Sequence, residues 1–387
     1  MTEDYRPNTY SLSYWEQDTF FRGIDTIVLG SGIVGLNAAI RLKELRPKHR
    51  VVVLERGPLP IGASTRNAGV ACFGSLSELM DDAAHRPVEE VLSLAEERYR
   101  GLLRLRDRLG DEVMDYRPYG GYELFLPSEA ERYAACIDIM DSYNREFSSL
   151  TGRPDTYKVT DEAIKNFGFA GIEHLIFNQA EGQIHTGKMM QALLAKARSL
   201  DVQIYNGVEV THWEEEEKTV SLFTAQGWKL QCRSMLVATN GFAARLLPEL
   251  QVRPARNQVM ITQPVPGLRF KACFHYDRGY YYFRQIDGRI LLGGGRILDV
   301  EGETTDSFGT TPLIRDSLID LLHHLILPGQ RVEIDGWWSG IMGVGDQKHP
   351  IVKRYSDRIA VAVRLGGMGV AIGSLVGERG AELLTDT

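Results

Sequence analysis

The pattern of apolar and polar positions near the start of the chain predicts a strand, a turn, a helix and a second strand, in that order. An apolar run from Ile24 to Leu29 leads into a glycine-rich turn and then into Ile33 to Leu45, where apolar residues recur at helical spacing. A second apolar run, Arg50 to Leu54, ends in Glu55. This order predicts a dinucleotide-binding βαβ unit of the Rossmann type.

The turn between the first strand and the helix has the sequence GSGIVG. Gly30 permits the tight turn, Gly32 lets backbone N–H groups approach a pyrophosphate, and Gly35 lets the helix lie close to the strand. Glu55 follows Gly30 by 25 residues, about the distance expected of the acid that bonds a ribose hydroxyl. An acid at this position favours FAD or NAD over NADP.

The remaining pattern alternates helical and strand segments. Helical spacing predicts a long amphipathic helix from Val88 to Leu109 and a helix from Thr186 to Leu200. Alternating apolar residues and turn residues predict strands over 208–213, 219–224, 228–232, 256–263, 279–284 and 289–294, the last two joined by the hairpin turn Asp287-Gly288.

Dinucleotide-type segments stand at both ends and in the middle of the chain, with a different β-rich set between them. We therefore predict an α/β protein, α+β overall, in which a nucleotide-binding domain is interleaved with a smaller domain of antiparallel strands and helices. The predicted nucleotide domain covers residues 1–85, 175–247 and 336–387, and the predicted substrate domain covers 86–174 and 248–335.

Composition narrows the function further. A net charge of −7 argues against a nucleic-acid partner, which usually requires a basic surface. The four cysteines are widely spaced and form no CxxC pair, so we expect no metal site and a reducing cytoplasm. No apolar window is long enough to predict a transmembrane helix.

Candidate substrate-binding residues lie on the strand predicted over 279–284. Alternate side chains of a strand share one face, so Tyr280, Tyr282 and Arg284 would form a row of two aromatic rings and a cation. In a functional interpretation the rings line a substrate site, and Arg284 or Arg256 pairs with a carboxylate or phosphate. In a structural interpretation the tyrosines are half-buried strand residues and Arg284 is solvated.

The chain resembles the FAD-dependent amine and amino-acid oxidoreductases of the D-amino-acid oxidase superfamily, particularly the glycine oxidase, sarcosine oxidase and gamma-glutamylputrescine oxidase group. The resemblance extends from Ile24 to Leu384. It rests on the order and spacing of short segments: GSGIVG at 30–35, ERG at 55–57, GASTRNAG at 62–69, ATNG at 238–241, YFR at 282–284, DGR at 287–289 and GGMG at 366–369.

The resemblance implies extended FAD, with its ADP part on the first βαβ unit and Glu55 on the adenosine ribose. It implies that the loop from Ser64 to Asn67 passes the pyrophosphate and flavin, and that the final glycine turn places a helix N-terminus near the flavin N1–C2=O edge. The cofactor-binding residues so implied are Gly30, Gly32, Ile33, Val34, Gly35, Glu55, Arg56, Ala63, Ser64, Thr65, Arg66, Asn67, Ala68, Gly69, Val208, Thr239, Asn240, Gly241, Gly340, Gly366, Gly367, Met368, Gly369 and Val370.

The function implied is oxidation of a C–N bond in a small amine or amino acid, by hydride transfer to flavin N5, to an imine that hydrolyses. Ile341 falls about where sarcosine oxidases carry the flavin-linking cysteine and where glycine oxidases carry an arginine that binds the substrate carboxylate. We therefore expect non-covalent FAD. Leu291 falls near the lysine with which sarcosine oxidases activate oxygen, so the acceptor, oxygen or a quinone or carrier, stays open, as does the oligomeric state.

Other functions fit parts of the sequence. A 2-hydroxy-acid dehydrogenase on the same fold, passing electrons to a quinone or carrier, would need a base for the hydroxyl proton, with His349 or His275 as candidates. An NAD-dependent dehydrogenase would need only the first βαβ unit. A tRNA-modification enzyme is disfavoured by the acidic balance, and a flavoprotein without turnover stays open.

Overall fold

A computed structural model describes residues 10–385; residues 1–9 and 386–387, which belong to the predicted nucleotide domain, lie outside the described part. Its strands are β1 (Ile24–Leu29), β2 (Val51–Glu55), β3 (Val70–Ala71), β4 (Gly121–Phe125), β5 (Tyr157–Val159), β6 (His174–Asn178), β7 (Gly182–Gln183), β8 (Gln203–Asn206), β9 (Val210–Glu215), β10 (Val220–Thr224), β11 (Lys229–Val237), β12 (Arg253–Thr262), β13 (Cys273–Tyr276), β14 (Tyr281–Ile286), β15 (Arg289–Gly294), β16 (Ile334–Val344), β17 (Ile351–Arg354) and β18 (Ile359–Val363).

Its α-helices are α1 (Tyr14–Glu16), α2 (Ile33–Leu45), α3 (Ala63–Arg66), α4 (Leu76–Ala83), α5 (Val88–Leu109), α6 (Ala130–Thr151), α7 (Ile164–Phe167), α8 (Thr186–Ser199), α9 (Pro312–Leu321) and α10 (Gly369–Glu382). Short 3₁₀ segments cover Pro127–Glu129, Asp161–Ala163, Asn240–Arg245 and Arg296–Asp299, and π-helical turns cover Gln17–Phe21 and Leu322–Ile326. The helices predicted over 33–45 and 88–109 are confirmed at both ends.

The chain divides into two compact units, each built from separate stretches of sequence. Unit 1 comprises Met1–Thr65, Gly187–Pro254 and Met342–Thr387, and unit 2 comprises Arg66–Thr186 and Ala255–Ile341. Residues 66–85, 175–186 and 336–341, which the sequence assigned to the nucleotide domain, are therefore grouped with unit 2, and residues 248–254, which it assigned to the substrate domain, are grouped with unit 1. The assignment of nucleotide and substrate roles to the two units stays a prediction.

Unit 1 is built on an eight-stranded sheet. Six of its strands follow the order β17-β18-β11-β1-β2-β8, and the other two, β10 and β9, extend antiparallel from β11. The pairs β18/β11, β11/β1, β1/β2 and β2/β8 are parallel. β2 and β18 are buried at every position, which is typical of parallel strands covered on both faces. The predicted α/β class is thereby confirmed.

Unit 2 contains a second eight-stranded sheet with the order β16-β12-β15-β14-β13-β4-β6-β5. The pairs β12/β15, β15/β14, β14/β13, β4/β6 and β6/β5 are antiparallel, and β13 and β4 run parallel. A two-stranded sheet, β3 with β7, belongs to the same unit and pairs Ala71 with Gly182. One sheet face packs on a large apolar cluster that includes Phe274, Phe283 and α9.

Among residues 10–385, no helix is long and apolar enough to cross a membrane.

Candidate functional site

The turn between β1 and α2 in unit 1 depends on its glycines. Gly30 has a φ of +100°, and a Cβ at this position would lie 2.9 Å from the carbonyl oxygen of Ala238. A Cβ at Gly35 would lie only 1.9 Å from the carbonyl oxygen of Gly30. A side chain would collide with the backbone at either position. Because glycine has none, the helix can begin directly against the end of the strand.

Glu55, the last residue of β2, points its carboxylate at the same turn. Oε2 accepts hydrogen bonds from the Ser31 backbone N–H (3.1 Å) and from Ser31 Oγ (2.8 Å), and Oε1 accepts one from the Gly57 backbone N–H (3.0 Å). The side chain is buried. A carboxylate has about four acceptor positions, so Glu55 retains capacity for a hydroxyl donor.

Val208 and Arg56, two further residues that the resemblance assigns to the cofactor, lie near Glu55. The Val208 backbone N–H donates to the Glu55 carbonyl oxygen at 2.9 Å. The Arg56 guanidinium stacks over the Phe242 ring, 3.9 Å from its centroid, and lies 3.9 Å from Glu209. Arg56 is therefore held in place by an aromatic ring and an acid within unit 1.

The helices α2 and α10 bring two N-termini to one end of unit 1. A Cβ at Gly373 would lie 2.8 Å from Ile33, and a Cβ at Gly377 would lie 2.4 Å from the Val34 carbonyl oxygen, so the helices pack closely and run in the same direction. Neither N-cap residue, Gly32 or Met368, caps its helix with a side chain. Backbone N–H groups at helix N-termini attract anions.

The loop that resembles the flavin loop begins in unit 1 with α3. The Ser64 hydroxyl accepts a hydrogen bond from the Ile33 backbone N–H at 2.9 Å, and Thr65 Oγ1 donates to the Pro60 carbonyl oxygen at 2.5 Å. Ala63 opens this short helix. The start of α2 and the start of the loop are thus tied together by a side-chain hydroxyl.

The glycine turn before α10 is fixed by a second loop of unit 1. Gly366 and Gly367 have φ values of +58° and +88°, which favour glycine, and Val370 is buried at the start of the helix. Asn240, itself at φ +46°, accepts hydrogen bonds at Oδ1 from the backbone N–H groups of Arg364 (3.1 Å) and Leu365 (3.3 Å). Gly241 follows Asn240 and is also buried.

Replacing Asn240 with alanine is expected to lower the free energy of unfolding by about 2–5 kcal/mol. Loss of the acceptor leaves buried N–H groups unsatisfied at about 1–3 kcal/mol, and alanine at a left-handed φ adds about 1–2 kcal/mol. Asn240→Asp retains the oxygen and tolerates this backbone. Thermal unfolding of both variants checks the prediction, and equal melting temperatures for the two would contradict it.

Unit 1 fits the nucleotide end of an FAD molecule. Besides the glycine turn, Glu55 and the two helix N-termini, it contains a buried hydroxyl, Thr239 Oγ1, that has no hydrogen-bond partner. This hydroxyl belongs to the segment that the resemblance assigns to the cofactor, and a Cβ at Gly30 would lie 3.7 Å from the Cα of Thr239. A buried polar atom without a partner is typical of a ligand position.

The later part of the loop, Arg66 to Gly69, belongs to unit 2 and is held by that unit's own residues. Arg66 stacks on Phe308 (4.5 Å to the centroid), and its carbonyl oxygen accepts a hydrogen bond from Trp338 Nε1 (2.9 Å). Asn67 Oδ1 accepts hydrogen bonds from the Gly69 N–H (2.8 Å) and from Thr186 Oγ1 (2.9 Å). Two further predicted residues, Ala68 and Gly340, are buried in the same unit.

A polar face of the unit 2 sheet carries two of the predicted substrate residues. Tyr282 and Arg284 alternate on β14 and therefore point to one side of it. The Tyr282 hydroxyl accepts a hydrogen bond from Asn257 Nδ2 at 3.1 Å, whereas Asn257 Oδ1 is buried without a partner. Gly293 lies opposite Tyr282, where a Cβ would come within 2.7 Å of the ring.

Arg284 is a buried cation without a counter-ion. Only 2% of its surface is exposed, and Nε has no hydrogen-bond partner. Within residues 10–385 no acid forms an ion pair with it. Burial lowers the pKa of Arg284 from its ordinary value, although an arginine remains charged. A buried charge in this state is costly, which makes Arg284 a candidate for binding an anion.

Arg256, the other predicted anion-binding residue, already has a partner. Its Nε and one terminal nitrogen bond both oxygens of Glu303, at 2.8 and 2.9 Å, and the Glu303 side chain is fully buried. Strand register also places Arg256 on the face of Gln258 and Tyr281, opposite to that of Arg284. Arg256 therefore belongs to a structural ion pair. The sequence did not indicate this pair, because its acid lies 47 residues away along the chain.

Tyr280 does not lie in a row with Tyr282 and Arg284, as the sequence predicted. β14 begins at Tyr281, because Asp277, Arg278 and Gly279 all have positive φ and form a turn that ends at Tyr280. Tyr280 packs on the apolar cluster of the opposite sheet face and lies under the Arg278 guanidinium. It is therefore a packing residue rather than part of the polar face.

One of the two histidines suggested as bases, His275, is engaged by an acid through its side chain. His275 is buried and bonds Glu181 at 3.1 Å. Burial alone disfavours its charged form, but the charge of Glu181 and the hydrogen bond to it outweigh this and raise the pKa of His275. The carbonyl oxygen of His349 accepts a hydrogen bond from Arg364 Nε at 3.0 Å.

One residue of the polar face, Asn257, was not singled out from the sequence. Asn257 lies in the strand predicted over 256–263, and the two-residue period of that strand places it on the face opposite to Arg256. Trp338 packs with Tyr282 and Ala68 in one cluster. Alternation along the strands could have indicated Asn257, but the contact of Trp338 with the loop depends on tertiary structure.

Known proteins match this chain over most of its length. The profile of the family described as "FAD dependent oxidoreductase" matches residues 25–383. A glycine oxidase from Geobacillus kaustophilus is 25% identical over 380 residues, which cover 93% of this chain and 92% of that protein.

Solved structures share the fold at low identity. The crystal structure of glycine oxidase from Geobacillus kaustophilus has a TM-score of 0.74 at 21% identity and covers 94% of this chain and 95% of its own. The L-proline dehydrogenase from P. horikoshii has a TM-score of 0.72 at 19% identity, with 94% and 93% covered.

Proposed function

Because this chain belongs to the family of FAD-dependent oxidoreductases, we propose that it oxidises the C–N bond of a small amino acid. Bound FAD supplies the hydride acceptor at N5, and the resulting imine is hydrolysed in water. The protein's task is then to bind FAD, to hold the amino acid by its carboxylate and to orient its amine.

The observation that carries this proposal is the buried and unpaired guanidinium of Arg284. A planar guanidinium can bind a carboxylate through two parallel hydrogen bonds, and an anionic ligand would neutralise a charge that is otherwise costly to bury. Within residues 10–385 no acid fills this role. A substrate with a carboxylate therefore fits better than a simple amine.

The neighbouring polar atoms suit the amine end of such a substrate. Asn257 Oδ1 is buried without a donor, so it can accept an N–H of the substrate amine. Asn257 Nδ2 is engaged by Tyr282, which fixes the orientation of the amide. The Tyr282 hydroxyl retains its own proton to donate, and desolvation raises the pKa of this phenol above its ordinary value.

We propose that unit 1 holds the nucleotide end of FAD. Glu55 would bond the ribose hydroxyls, and N–H groups at the start of α2 would bind the pyrophosphate. The start of α10 would supply a second region of partial positive charge.

The 2-hydroxy-acid alternative receives less support from the same residues. His275 is buried, and its Nε2 is already hydrogen-bonded to Glu181 at 3.1 Å, so this nitrogen is not available to accept a substrate proton. Oxidation of a neutral amine needs no such base.

Anaerobic reduction of the bound flavin tests the proposed function. Amino acids are compared with the amines that result from their decarboxylation, and with the matching 2-hydroxy acids. We expect amino acids to bleach the flavin and the decarboxylated amines to do so at least about 30-fold less efficiently, the low end of the effect of removing one partner of a buried charge pair. Bleaching by 2-hydroxy acids alone would refute C–N oxidation, and reoxidation with oxygen or a quinone then identifies the acceptor.

We also expect the flavin to be released when the protein is denatured. Ile341, at the position compared with a flavin-linking cysteine, is an aliphatic residue that cannot form such a bond. The absorption spectrum of the filtrate after denaturation checks this expectation. Flavin colour that stays on the polypeptide would contradict it.

A further inference from the structure

We propose that Cys72, Glu181 and His275 form a metal site in unit 2 that binds zinc or a similar thiophilic divalent ion. One ligand atom from each residue lies within 4.8 Å of the others. The residues are 109 and 94 positions apart in sequence, so their proximity results entirely from the fold. This inference does not depend on the proposed amine oxidation.

The strands of unit 2 bring the three side chains together. β3 pairs with β7, which places Cys72, just after β3, beside Glu181, just before β7. His275 lies in β13, directly across from Tyr282 of β14. Glu181 and His275 are buried and Cys72 is half-buried.

The distance between the imidazole and the carboxylate suits tetrahedral coordination. His275 Nε2 and Glu181 Oε2 are 3.1 Å apart. Two ligand atoms each about 2.0–2.1 Å from a tetrahedral zinc ion lie about 3.3 Å from one another. Only a small adjustment is therefore needed for the imidazole and the carboxylate to exchange their hydrogen bond for a shared ion.

The surrounding residues orient the carboxylate of Glu181. Asn178 Nδ2 donates to Oε1 at 3.2 Å, which leaves Oε2 directed at His275. Gly121 provides the space, because a Cβ there would lie 1.9 Å from Oε2. A second buried carboxylate, Glu123, is held separately by Ser77 and lines a small cavity together with Glu181 and His275. Such outer contacts are typical of metal sites.

Charge and ligand type select the ion. One thiolate, one carboxylate and one neutral imidazole together neutralise a divalent cation, and sulfur disfavours magnesium and calcium. Binding would release the thiol proton of Cys72 and any proton on His275 to solvent. Three protein ligands leave a fourth position for water.

Metal analysis of the purified flavoprotein tests the site. The protein is dialysed against zinc and then against buffer, and its zinc content is measured by mass spectrometry for the wild type, Cys72→Ala and Cys232→Ala. Cys232 is a matched control, since it is a buried cysteine of unit 1 whose thiol contacts the Val220 carbonyl oxygen. We expect about one zinc ion per chain in the wild type and in Cys232→Ala, and at least about a tenfold loss in Cys72→Ala.

X-ray absorption at the zinc edge of the wild-type protein gives a readout that needs no variant. We expect one sulfur neighbour at about 2.3 Å together with nitrogen or oxygen neighbours at about 2.0 Å. Wild-type protein without retained zinc, equal zinc in the wild type and Cys72→Ala, or a spectrum without sulfur would each overturn the proposal. Because flavin bleaching is measured separately, failure here is distinguishable from failure of the proposed function.

Discussion

Replacing Arg284 with methionine is expected to lower kcat/KM for the amino-acid substrate by about 30- to 5,000-fold. Removing one partner of a buried charge pair costs about 2–5 kcal/mol, and each 1.4 kcal/mol corresponds to about a factor of ten. Methionine fills a similar volume without charge, so the loss would come from the missing contact with the carboxylate. Stopped-flow reduction of the flavin with the amino acid measures the effect.

The decarboxylated amine is the internal control for this experiment. It lacks the group that Arg284 is proposed to bind, so its slow reaction is expected to be unchanged by Arg284→Met. An equal loss with both substrates would contradict carboxylate binding and would indicate that Arg284 supports the structure of its surroundings.

The Arg284→Met and Arg256→Met variants are expected to differ in thermal stability. Arg284 has no ion-pair partner within residues 10–385, so Arg284→Met is expected to leave the melting temperature unchanged or to raise it. Arg256→Met would leave the buried carboxylate of Glu303 without its counter-ion and is expected to lower the free energy of unfolding by about 3–5 kcal/mol. The contrast follows from one charge being paired and the other not.

The part of the fold that is encoded locally could be predicted from the sequence. The strand–turn–helix unit at Gly30 to Gly35 and the helix Val88–Leu109 depend on residues that are neighbours along the chain, and both are present as predicted. The strand carrying Tyr282 was placed two residues too early. Asp277 and Arg278 adopt left-handed backbone angles there, and their sequence gives no strong signal for this conformation.

Long-range pairing could not be predicted, and it decides most of the candidate site. Whether Arg256 is free or paired depends on Glu303, and whether His275 can act as a base depends on Glu181. The cysteine spacing indicated no metal site, because Cys72 meets its proposed partners only through the pairing of β3 with β7. Spacing rules detect ligands on one local element and miss those gathered from separate strands.

Gly32→Val is expected to weaken FAD binding by at least about 100-fold while the protein remains folded. The loss of two charge-assisted hydrogen bonds from backbone N–H groups to a phosphate, at about 1.5 kcal/mol each, accounts for this factor. Gly32 has φ −73° and ψ −177°, which valine adopts readily, so the backbone is not strained. The new Cβ would lie 2.9 Å from Ser64 Oγ, which is too close, so the Ser64 side chain would have to shift, and the valine would cover the N–H groups at the start of α2.

Two other glycine variants show whether the effect is specific to the phosphate position. Gly35→Val would place a Cβ 1.9 Å from the Gly30 carbonyl oxygen, so it is expected to disrupt the packing of α2 on β1 and to lower both folding and flavin content. Gly336→Val meets only an ordinary contact of 3.8 Å with Ile261 and is expected to retain FAD. Flavin content after gel filtration, with circular dichroism to follow folding, distinguishes the three. If Gly32→Val kept a full complement of flavin, the start of α2 would not be the place where the pyrophosphate binds.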